Sequence, residues 1–409
     1  MKIGILTFHS QLNYGGVLQC WALQTALERL GHEAVVMDRW QNADNSSLER
    51  GYNKWGWWQW LRFWVRGLLG LGDLSLWLRV RRTKRFLGKY LHLTWYHFVE
   101  WMNAPKELGV YMLVVGSDQV WHCGDWGDPR AYLLEGTPQI PAIAYAASFG
   151  MTELPGCLGP GAADAEDLAA EPIYRRGLSK FKAISCRECE GVEICKWLGF
   201  DAVHVVDPTL LAWGEGAADN SKAERRRVLV CYFLSERIED HISELDGFAR
   251  RNHCKVKVLL NGAWLSPFPT NLSRMKSLLR RWKLRMNSCV EIMDSAGPEE
   301  FYDAFKNVRW VVSDSFHALM FSICNGCDAR MVRPSIELRR QMFARIEEFA
   351  EHTKGPLIVN SVSDALTSFA ENESVSYDYE WLECRRHESE EWLKKVLPAS
   401  NDRRLATND

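Results

Sequence analysis

Short apolar runs alternate with helical patterns along most of this chain, in two successive series. The first series has predicted strands at 3–8, 34–38, 111–116, 140–147, 183–187 and 203–206. The second series has predicted strands at 228–234, 256–260, 290–293 and 310–313. Because strands that alternate with helices form parallel sheets with helices on both faces, this pattern predicts an α/β protein with two Rossmann-like domains facing a cleft.

The predicted helices complete this pattern. Gly15 and Gly16 precede the first of them, at 17–30. Gly31 follows its last residue, where glycine commonly terminates a helix. Further helices are predicted at 239–252, 298–306, 317–325 and 378–396.

A polar stretch rich in small residues, at 213–227, interrupts the alternation and is the predicted interdomain linker. A chain of 409 residues is too long for one hydrophobic core. We therefore predict an N-terminal domain at 1–215, a linker at 216–227, and a C-terminal domain at 228–375. The remaining residues, 376–409, are predicted to form a C-terminal helix and a frayed tail.

An insertion at 51–90 departs from this scheme. It contains nine lysines and arginines, six tryptophans and a single acidic residue, Asp73. Cationic residues interleaved with tryptophan are typical of a helix that lies in a membrane interface. This composition predicts peripheral contact with an anionic membrane. The alternative is a helical hairpin packed on the domain, with the basic run at 79–85 as an ordinary exposed face.

The bulk composition excludes some function classes. The formal net charge of −2 gives no global attraction to nucleic acid. No window reaches the length of about 18 apolar residues that a membrane span requires, and the N-terminus lacks the order of a signal peptide. These features predict a cytoplasmic protein, peripheral on the inner face of the membrane if the insertion binds there.

The twelve cysteines are expected to be reduced thiols. Two CxxC pairs occur, Cys186 with Cys189 and Cys324 with Cys327. Their separation of more than a hundred residues is not a zinc-ribbon spacing, so no metal is predicted. A metal or redox module built on both pairs is kept as an alternative.

A glycine-rich turn follows the first predicted strand. It contains Asn13, Tyr14, Gly15 and Gly16, and it opens the first helix. Such a turn directs backbone N–H groups and a helix N-terminus toward a ligand, commonly an anion. The alternative is an ordinary glycine turn without a ligand.

Polar side chains follow two other predicted strands of the first series. Ser117, Asp118 and Gln119 come after the strand at 111–116, where Asp118 could accept hydrogen bonds from substrate hydroxyls or begin an Asx turn. Arg187 ends the strand at 183–187. An arginine there can grip a carboxylate or phosphate, or form an ion pair with a neighbouring acid such as Glu188.

Two further strand ends carry acidic groups. Asp207 follows the strand at 203–206, where capping of the next segment is the favoured interpretation. Asp314, Ser315 and His317 lie between the strand at 310–313 and an apolar helix, with Asp314 and His317 as candidate catalytic residues and Ser315 as a candidate substrate contact. This arrangement places a titratable imidazole at a helix N-terminus, where anion binding and acid–base chemistry are practical. The alternative role for His317 is a structural hydrogen bond.

Six segments, in this order, resemble the polysaccharide pyruvyl transferase family. They are NYGGVLQCWALQ at 13–24, GSDQVW at 116–121, AYAASFG at 144–150, ISCRE at 184–188, VDPTLL at 206–211 and DSFH at 314–317. The resemblance implies a GT-B-like fold with its site in the interdomain cleft. It also implies transfer of pyruvate from phosphoenolpyruvate, a co-substrate and not a cofactor, to a sugar of a cell-surface polysaccharide or lipid-linked glycan precursor of the bacterial envelope. The product is a cyclic ketal.

The resemblance also implies roles for individual residues. Arg187 matches an arginine associated with the donor, and His317 matches the family histidine. We assign His317 as general acid or phosphate partner, Arg187 as anion clamp and Asp118 as candidate base or hydroxyl orienter. Phosphoenolpyruvate carries a carboxylate and a phosphate, which suits arginine, histidine and backbone N–H donors.

Two positions depart from the family pattern. Ser315 stands where many members have arginine, and Ala318 stands where glycine is common. Arg345 lies near a position where related sequences carry a basic residue, and it is the candidate to replace the missing cation. The departures keep two alternatives open: a GT-B glycosyltransferase that uses a nucleotide sugar, and a glycan-binding protein without turnover.

Overall fold

The computed structural model describes most of the chain as two parallel sheets with helices packed on them. The described residues are 1–9, 13–39, 74–96, 108–123, 129–137, 140–154, 169–213, 217, 225–261, 289–334 and 337–398.

The first sheet has seven strands, all parallel. They are β1 (Lys2–Leu6), β2 (Glu33–Arg39), β3 (Leu93–Tyr96), β4 (Met112–Val115), β5 (Ala142–Ala147), β6 (Ala183–Cys186) and β7 (Val203–His204). Their order is β3-β2-β1-β4-β5-β6-β7. The helices of this half are α1 (Tyr14–Arg29), α2 (Leu74–Tyr90), α3 (Ala170–Leu178), α4 (Cys189–Trp197) and α5 (Pro208–Trp213), with a short 3₁₀ turn at Pro129–Ala131.

The second sheet has six parallel strands. The strands and helices that follow in the chain are β8 (Arg226–Tyr232), α6 (Ile238–Arg251), β9 (Lys255–Leu259), β10 (Val290–Met293), α7 (Pro298–Phe305), β11 (Val308–Ser313), α8 (Phe316–Cys324), β12 (Asp328–Val332), α9 (Glu337–Glu351), β13 (Thr353–Lys354), β14 (Ile358–Val359), α10 (Val362–Ala370), β15 (Ser376–Tyr377) and α11 (Tyr379–Val396). The sheet order is β10-β9-β8-β11-β12-β14, and β13 pairs antiparallel with β15.

The two large sheets share one topology, because each begins with a central strand, runs outward through two more, and then returns to the other side. The direction of winding therefore reverses between β1 and β4 in the first sheet and between β8 and β11 in the second. Open parallel sheets bind ligands at this switch point, beyond the carboxyl ends of the strands. Both switch points here carry polar loops, at 116–119 and 313–317.

The halves are joined by buried contacts beside the cleft. The Tyr14 ring stacks on Phe301 of α7 with centroids 4.4 Å apart. Its hydroxyl lies within hydrogen-bonding distance of the carbonyl oxygens of Ala296 and Leu260, at 3.1 and 3.3 Å. Helix α11 returns to the first half, where the Ser389 hydroxyl accepts a hydrogen bond of 3.0 Å from the Val206 backbone N–H. One apolar core consequently runs through both halves.

Helix α2 covers the second part of the basic insertion, and residues 51–73 lie outside the described residues. α2 is an ordinary crossover, since it connects β2 to the parallel edge strand β3. Arg79 is fully buried, donates a hydrogen bond of 2.6 Å to the Leu260 carbonyl and lies 4.1 Å from the centre of the Tyr14 ring. Arg82 forms an ion pair of 3.1 Å with Glu300. Two arginines of the basic run therefore bind the second half.

The remaining basic side chains of α2 that the structure describes are exposed, and they include Arg81, Lys84 and Arg85. Membrane contact by this insertion stays a prediction. No helix among the described residues is both long and apolar enough to cross a bilayer.

Some predicted boundaries are wrong by a few residues. The first helix begins at Tyr14 and not after the glycines, because the Asn13 side chain caps it by accepting a hydrogen bond of 3.0 Å from the Gly15 N–H. Gly15 and Gly16 therefore lie in its first turn. β7 ends at His204, two residues before its predicted end. The tail at 399–409 and most of the predicted linker lie outside the described residues, so the domain boundaries stay predictions.

Candidate active site

Side chains from both halves meet where the two switch points face each other. Asp118 follows β4, Arg187 follows β6 and Asp207 follows β7 in the first half, while His317 opens α8 in the second. All four are at most 8% exposed. The sheets, and not local sequence, bring these side chains together, because the carboxyl ends of parallel strands share one edge.

Arg187 lies at the centre of this group, with a side chain that is 0% exposed. Its Nη1 donates a hydrogen bond of 2.9 Å to Asp207 Oδ2. Its Nη2 lies 3.6 Å from Asp118 Oδ1, and its Nε lies 3.7 Å from Glu188 Oε2. Burial acts to lower the pKa of Arg187, but Asp207, Asp118 and Glu188 outweigh it and raise that pKa above its ordinary value. The guanidinium is therefore a permanent cation.

Asp207 forms an ion pair with Arg187 and also caps the next helix, as its sequence context favours. Its Oδ1 accepts hydrogen bonds from the backbone N–H and the hydroxyl of Thr209, at 3.0 and 2.8 Å. Its Oδ2 also accepts a bond of 3.0 Å from the Ser117 hydroxyl. Burial by itself would raise the pKa of Asp207, but Arg187, His317 and the Thr209 backbone N–H hold that pKa below its usual range. Asp207 is thus a charged support for Arg187.

His317 enters the site from the second half and packs on the glycine turn of the first. Its Nε2 lies 4.0 Å from Asp207 Oδ2. Burial lowers the pKa of His317 below 6.5, and the carboxylates of Asp207 and Asp118 offset this only in part. The imidazole is therefore neutral at neutral pH, and it can accept a proton before it can donate one.

The glycine at position 15 leaves the space that this imidazole occupies. A methyl group on Gly15 would lie 2.2 Å from His317 Nδ1, closer than any real contact allows. We expect Gly15→Ala to displace the ring and lower kcat about 10²-fold, since a misplacement of about 1 Å has that effect. Gly88→Ala, on an open surface of α2, is the control and should leave kcat unchanged. Normal turnover in Gly15→Ala would contradict this packing.

Arg345 of α9 supplies a second cation to the same place. Its guanidinium carbon lies 5.0 Å from the centre of the Phe316 ring, and that of Arg187 lies 4.8 Å from the same centre. With its amide oxygen turned toward α9, Gln119 accepts bonds of 3.0 and 3.2 Å from Arg345 Nη1 and Nη2. Burial and the nearby Arg187 lower the pKa of Arg345 to about 10. It therefore stays charged at neutral pH.

Several buried polar atoms in this group have no hydrogen-bond partner among the described residues. They are Arg187 Nε and Nη2, Glu188 Oε2, His317 Nε2 and Arg345 Nε. An unsatisfied buried donor costs about 1–3 kcal/mol and more when charged, so such groups are usually completed by a ligand or water. Arginine donors on two residues, with an imidazole nitrogen beside them, match a small anion that carries several oxygens.

The other predicted site residues have different surroundings. Asn13 caps α1, and Tyr14 binds the second half through the Ala296 carbonyl oxygen. Asp314 accepts hydrogen bonds of 2.6 and 2.7 Å from the backbone N–H groups of Leu234 and Ser235, one at each oxygen. Asp314 thus holds the loop after β8, an arrangement that leaves it less suited to proton transfer than His317.

The remaining predicted residues line the cluster or its neighbours. A methyl group on Gly16 would lie 3.4 Å from Asp118 Oδ2. Ser117 binds Asp207, and Ser315 is the buried residue that precedes α8. Sequence reasoning missed Phe316 as a contact for both arginines, because an apolar residue in a helix gives no such signal.

The described thiols do not form the four-cysteine site considered from the sequence. Cys186 Sγ lies 3.8 Å from Cys195 Sγ, and the Cys327 thiol contacts the Phe305 carbonyl oxygen at 3.3 Å. In the part of the chain that the structure describes, one group of three or more candidate metal ligands occurs, and it includes Cys189 but no thiol of the second pair. The described thiols therefore do not have the arrangement that a metal or redox module built on both CxxC pairs requires.

Comparison with known proteins adds a family and a fold. The family model described as polysaccharide pyruvyl transferase matches residues 13–335. No protein of curated function matches the chain. The UDP-GlcNAc 2-epimerase of Methanocaldococcus jannaschii, in complex with UDP-GlcNAc and UDP, aligns with a TM-score of 0.51 at 12% identity, covering 97% of this chain and 99% of that one. A second structure of that epimerase gives 0.50 at 12% identity, with coverages of 93% and 96%.

The MurG structure from Acinetobacter baumannii aligns with a TM-score of 0.44 at 10% identity, covering 97% of this chain and 98% of that one. The two epimerase structures, at 12% identity, indicate a shared fold only. The predicted fold class is confirmed: two parallel-sheet α/β halves in a GT-B-like arrangement.

Proposed function

The chain belongs to the polysaccharide pyruvyl transferase family, and we propose that it transfers pyruvate from phosphoenolpyruvate to a sugar of a cell-surface polysaccharide or lipid-linked glycan precursor, forming a cyclic ketal. Transfer of pyruvate to a polysaccharide is the reaction of the family. The identity of the donor and the ketal product are our proposals.

The observation that carries the proposal is the convergence, from both halves, of arginine N–H groups that make no hydrogen bond to the described residues. Arg187 contributes two N–H groups from the first half, and Arg345 contributes one from the second. Phosphoenolpyruvate has a carboxylate and a phosphate on one three-carbon frame, and each can take charge-assisted hydrogen bonds from a guanidinium. Two arginines against one phenyl ring, that of Phe316, suit a compact molecule with two anionic groups.

The chemistry requires two proton movements. As C3 of phosphoenolpyruvate gains a proton, a sugar hydroxyl adds to C2. The C2–O bond to phosphate then breaks, and a second hydroxyl of the same sugar adds to C2. Of the two hydroxyl protons, one ends on C3 and the other on the released phosphate, so the reaction needs no further reactant.

His317 is the residue best placed to move the proton. Because its pKa is lowered by burial, its imidazole is neutral and its Nε2 can take a proton from the substrate side. The imidazolium formed in this way lies 4.0 Å from the Asp207 carboxylate, which stabilises it, and it can deliver the proton to C3. Asp118, with Oδ1 bound by the Gln119 N–H, is the proposed hydroxyl orienter.

Many family members have an arginine at the position of Ser315. Arg345 is proposed to supply the missing cation in this chain. We expect Arg345→Ala to raise the Kd for phosphoenolpyruvate about 10- to 100-fold, because a charge-assisted hydrogen bond contributes about 1.5–3 kcal/mol. Isothermal titration calorimetry measures this directly, and Arg333→Ala, an exposed arginine paired with Glu347 outside the cluster, is the matched control. An unchanged Kd in Arg345→Ala would remove the residue from the donor site.

A thermal-shift titration tests the function itself. A ligand at 100 times its Kd stabilises a protein by about 2.7 kcal/mol, so phosphoenolpyruvate should raise the melting temperature of the wild type clearly. UDP is the comparison ligand, since a glycosyltransferase with the same fold would respond to the nucleotide. A response to UDP and none to phosphoenolpyruvate would replace our proposal with that alternative.

Peripheral membrane binding is a separate proposal, which rests on the basic insertion. The described part of α2 has exposed Arg81, Lys84 and Arg85, and each basic residue near an anionic leaflet contributes about 1 kcal/mol. We expect the protein to float with liposomes that contain anionic lipid, and the triple Glu variant at these positions to float less. Equal flotation with neutral and anionic liposomes would exclude an electrostatic origin.

A further inference from the structure

A thiol, an imidazole and a carboxylate meet at the seam between the two halves, outside the arginine cluster. They belong to Cys189, His204 and Glu348, and their ligand atoms all lie within 4.8 Å of one another. We propose that these three residues bind a divalent cation of the zinc type. The proposal does not depend on the reaction that the enzyme catalyses, because it requires only metal binding.

The distances suit a tetrahedral metal centre. Cys189 Sγ and His204 Nδ1 are 3.4 Å apart. Zinc binds thiolate sulfur at about 2.3 Å and imidazole nitrogen at about 2.0–2.1 Å, which puts two such ligand atoms about 3.5 Å apart in a tetrahedron. Glu348 approaches from the second half: one atom each of the thiol, the imidazole and the carboxylate lie within 4.8 Å of one another, although the shortest Glu348 distance, 3.4 Å, is to the other ring nitrogen, Nε2. A soft thiolate, an imidazole and a carboxylate together favour zinc over magnesium or calcium.

The surroundings of His204 are those of a metal-binding histidine. Its Nε2 lies 3.0 Å from the Arg187 carbonyl oxygen, to which it can donate. A histidine ligand usually donates its other ring N–H to a carbonyl or carboxylate, and this fixes the tautomer in which the first nitrogen is free to bind metal. The nitrogen that then carries the lone pair is Nδ1, which faces both Cys189 Sγ and Arg385 Nη2.

Binding of a divalent cation at Cys189 would release the thiol proton to solvent, because the metal ligand is the thiolate.

Arg385 is the competitor for the same nitrogen. Its Nη2 lies 3.0 Å from His204 Nδ1 and also 3.0 Å from the His204 carbonyl oxygen. Since Nδ1 has one lone pair, a metal on it must break the first contact. Arg385 can keep the second contact and its hydrogen bond to Glu388, so the displacement is small.

The elements that carry the ligands give the site a structural consequence. Cys189 is the first residue of α4 and follows Arg187 by two positions, while Glu348 lies on α9 three residues after Arg345. A bound metal would therefore link the segment behind one arginine of the candidate active site to the helix that carries the other.

Metal content and cobalt spectroscopy test the proposal on the full-length protein. Wild type dialysed against zinc and then against metal-free buffer should retain one zinc per chain by elemental analysis. The cobalt-substituted protein should show a thiolate-to-cobalt charge-transfer band. Cys189→Ser should lose that band and bind zinc more than about 100-fold more weakly, since loss of an outer-shell partner already has an effect of 10- to 100-fold.

Cys384→Ser is the matched control, because Cys384 is also an exposed thiol, hydrogen-bonds to Glu388 and does not belong to the Cys189 group. It should keep both the zinc and the band. His204→Gln and Glu348→Gln provide second variants that leave the thiol in place, and both should weaken binding. The proposal would be overturned if the wild type retained no zinc and showed no thiolate-to-cobalt band. It would also be overturned if Cys189→Ser and Cys384→Ser lost zinc affinity equally. Phosphoenolpyruvate binding is measured on the same samples. Its outcome tests the proposed function and does not depend on whether zinc binds.

Discussion

His317→Ala should lower kcat by about 10²- to 10⁴-fold, the range found when a residue that transfers a proton is removed. The physical reason is that the imidazole Nε2 has no hydrogen-bond partner in the described site and faces the Asp207 carboxylate at 4.0 Å. Asp314 is less suited to take its place, since both of its carboxylate oxygens accept hydrogen bonds from backbone N–H groups. Steady-state kinetics with phosphoenolpyruvate and the glycan acceptor measure the loss.

Two controls separate proton transfer from a structural effect. The melting temperature of His317→Ala should stay close to that of the wild type, and phosphoenolpyruvate should still bind through Arg187 and Arg345. The wild-type pH profile gives a second readout. Because the pKa of His317 is lowered below 6.5, the neutral imidazole persists above that value, and kcat/KM should fall only as the pH drops below it. Turnover near the wild-type level in His317→Ala would refute the role.

Arg187→Met should have the largest effect on stability. The guanidinium is the only cation within 4.0 Å of the Asp207 carboxylate that stays charged at neutral pH among the described residues. Removing one member of a buried ion pair leaves an unpaired charge, which lowers the free energy of unfolding by about 3–5 kcal/mol. Urea denaturation at pH 7 measures this change, and turnover should be lost with it, because the anion clamp is gone.

The double variant Arg187→Met with Asp207→Asn is the matched control. It removes both charges of the closest pair and keeps an oxygen that can accept from Thr209, so its free energy of unfolding should lie between those of the single variant and the wild type, with Asp118 and Glu188 still lacking their cation, while turnover stays low. The stability deficit of the single variant should shrink as the pH falls, because an unpaired buried carboxyl has a raised pKa and becomes neutral. A single variant as stable as the wild type would contradict the ion pair.

The two halves, their parallel strands and the positions of the site loops follow from local sequence. Strand and helix periodicity depends on neighbours within a few residues, which is why the ten predicted strands lie within a few residues of observed ones, whereas β3 and β12 to β15 were not predicted. The predicted membership of the family is confirmed for the same reason: its segments are short, contiguous and located at strand ends. The order of these segments along the chain was sufficient to identify the family.

Other features could not be predicted because they join distant parts of the chain. Tyr14 belongs to a segment that reads as an anion-binding turn, yet the packing of α1 on α7 turns its ring toward Phe301. Arg79 belongs to a run that reads as an exposed basic face, yet it is buried against the Leu260 carbonyl. In both cases a contact across more than 180 positions determines the environment, and no local pattern encodes it.

The sequence by itself determined which chemical groups the strand ends present: arginine, carboxylates, an imidazole and glycine. Tertiary structure alone decided how these groups pair. Asp207 supports Arg187, Gly15 makes room for His317, and Phe316 receives two guanidinium groups. The reason is physical. The type of each side chain is given by its position in the sequence, whereas its charge state, burial and partners depend on the elements that the fold packs beside it.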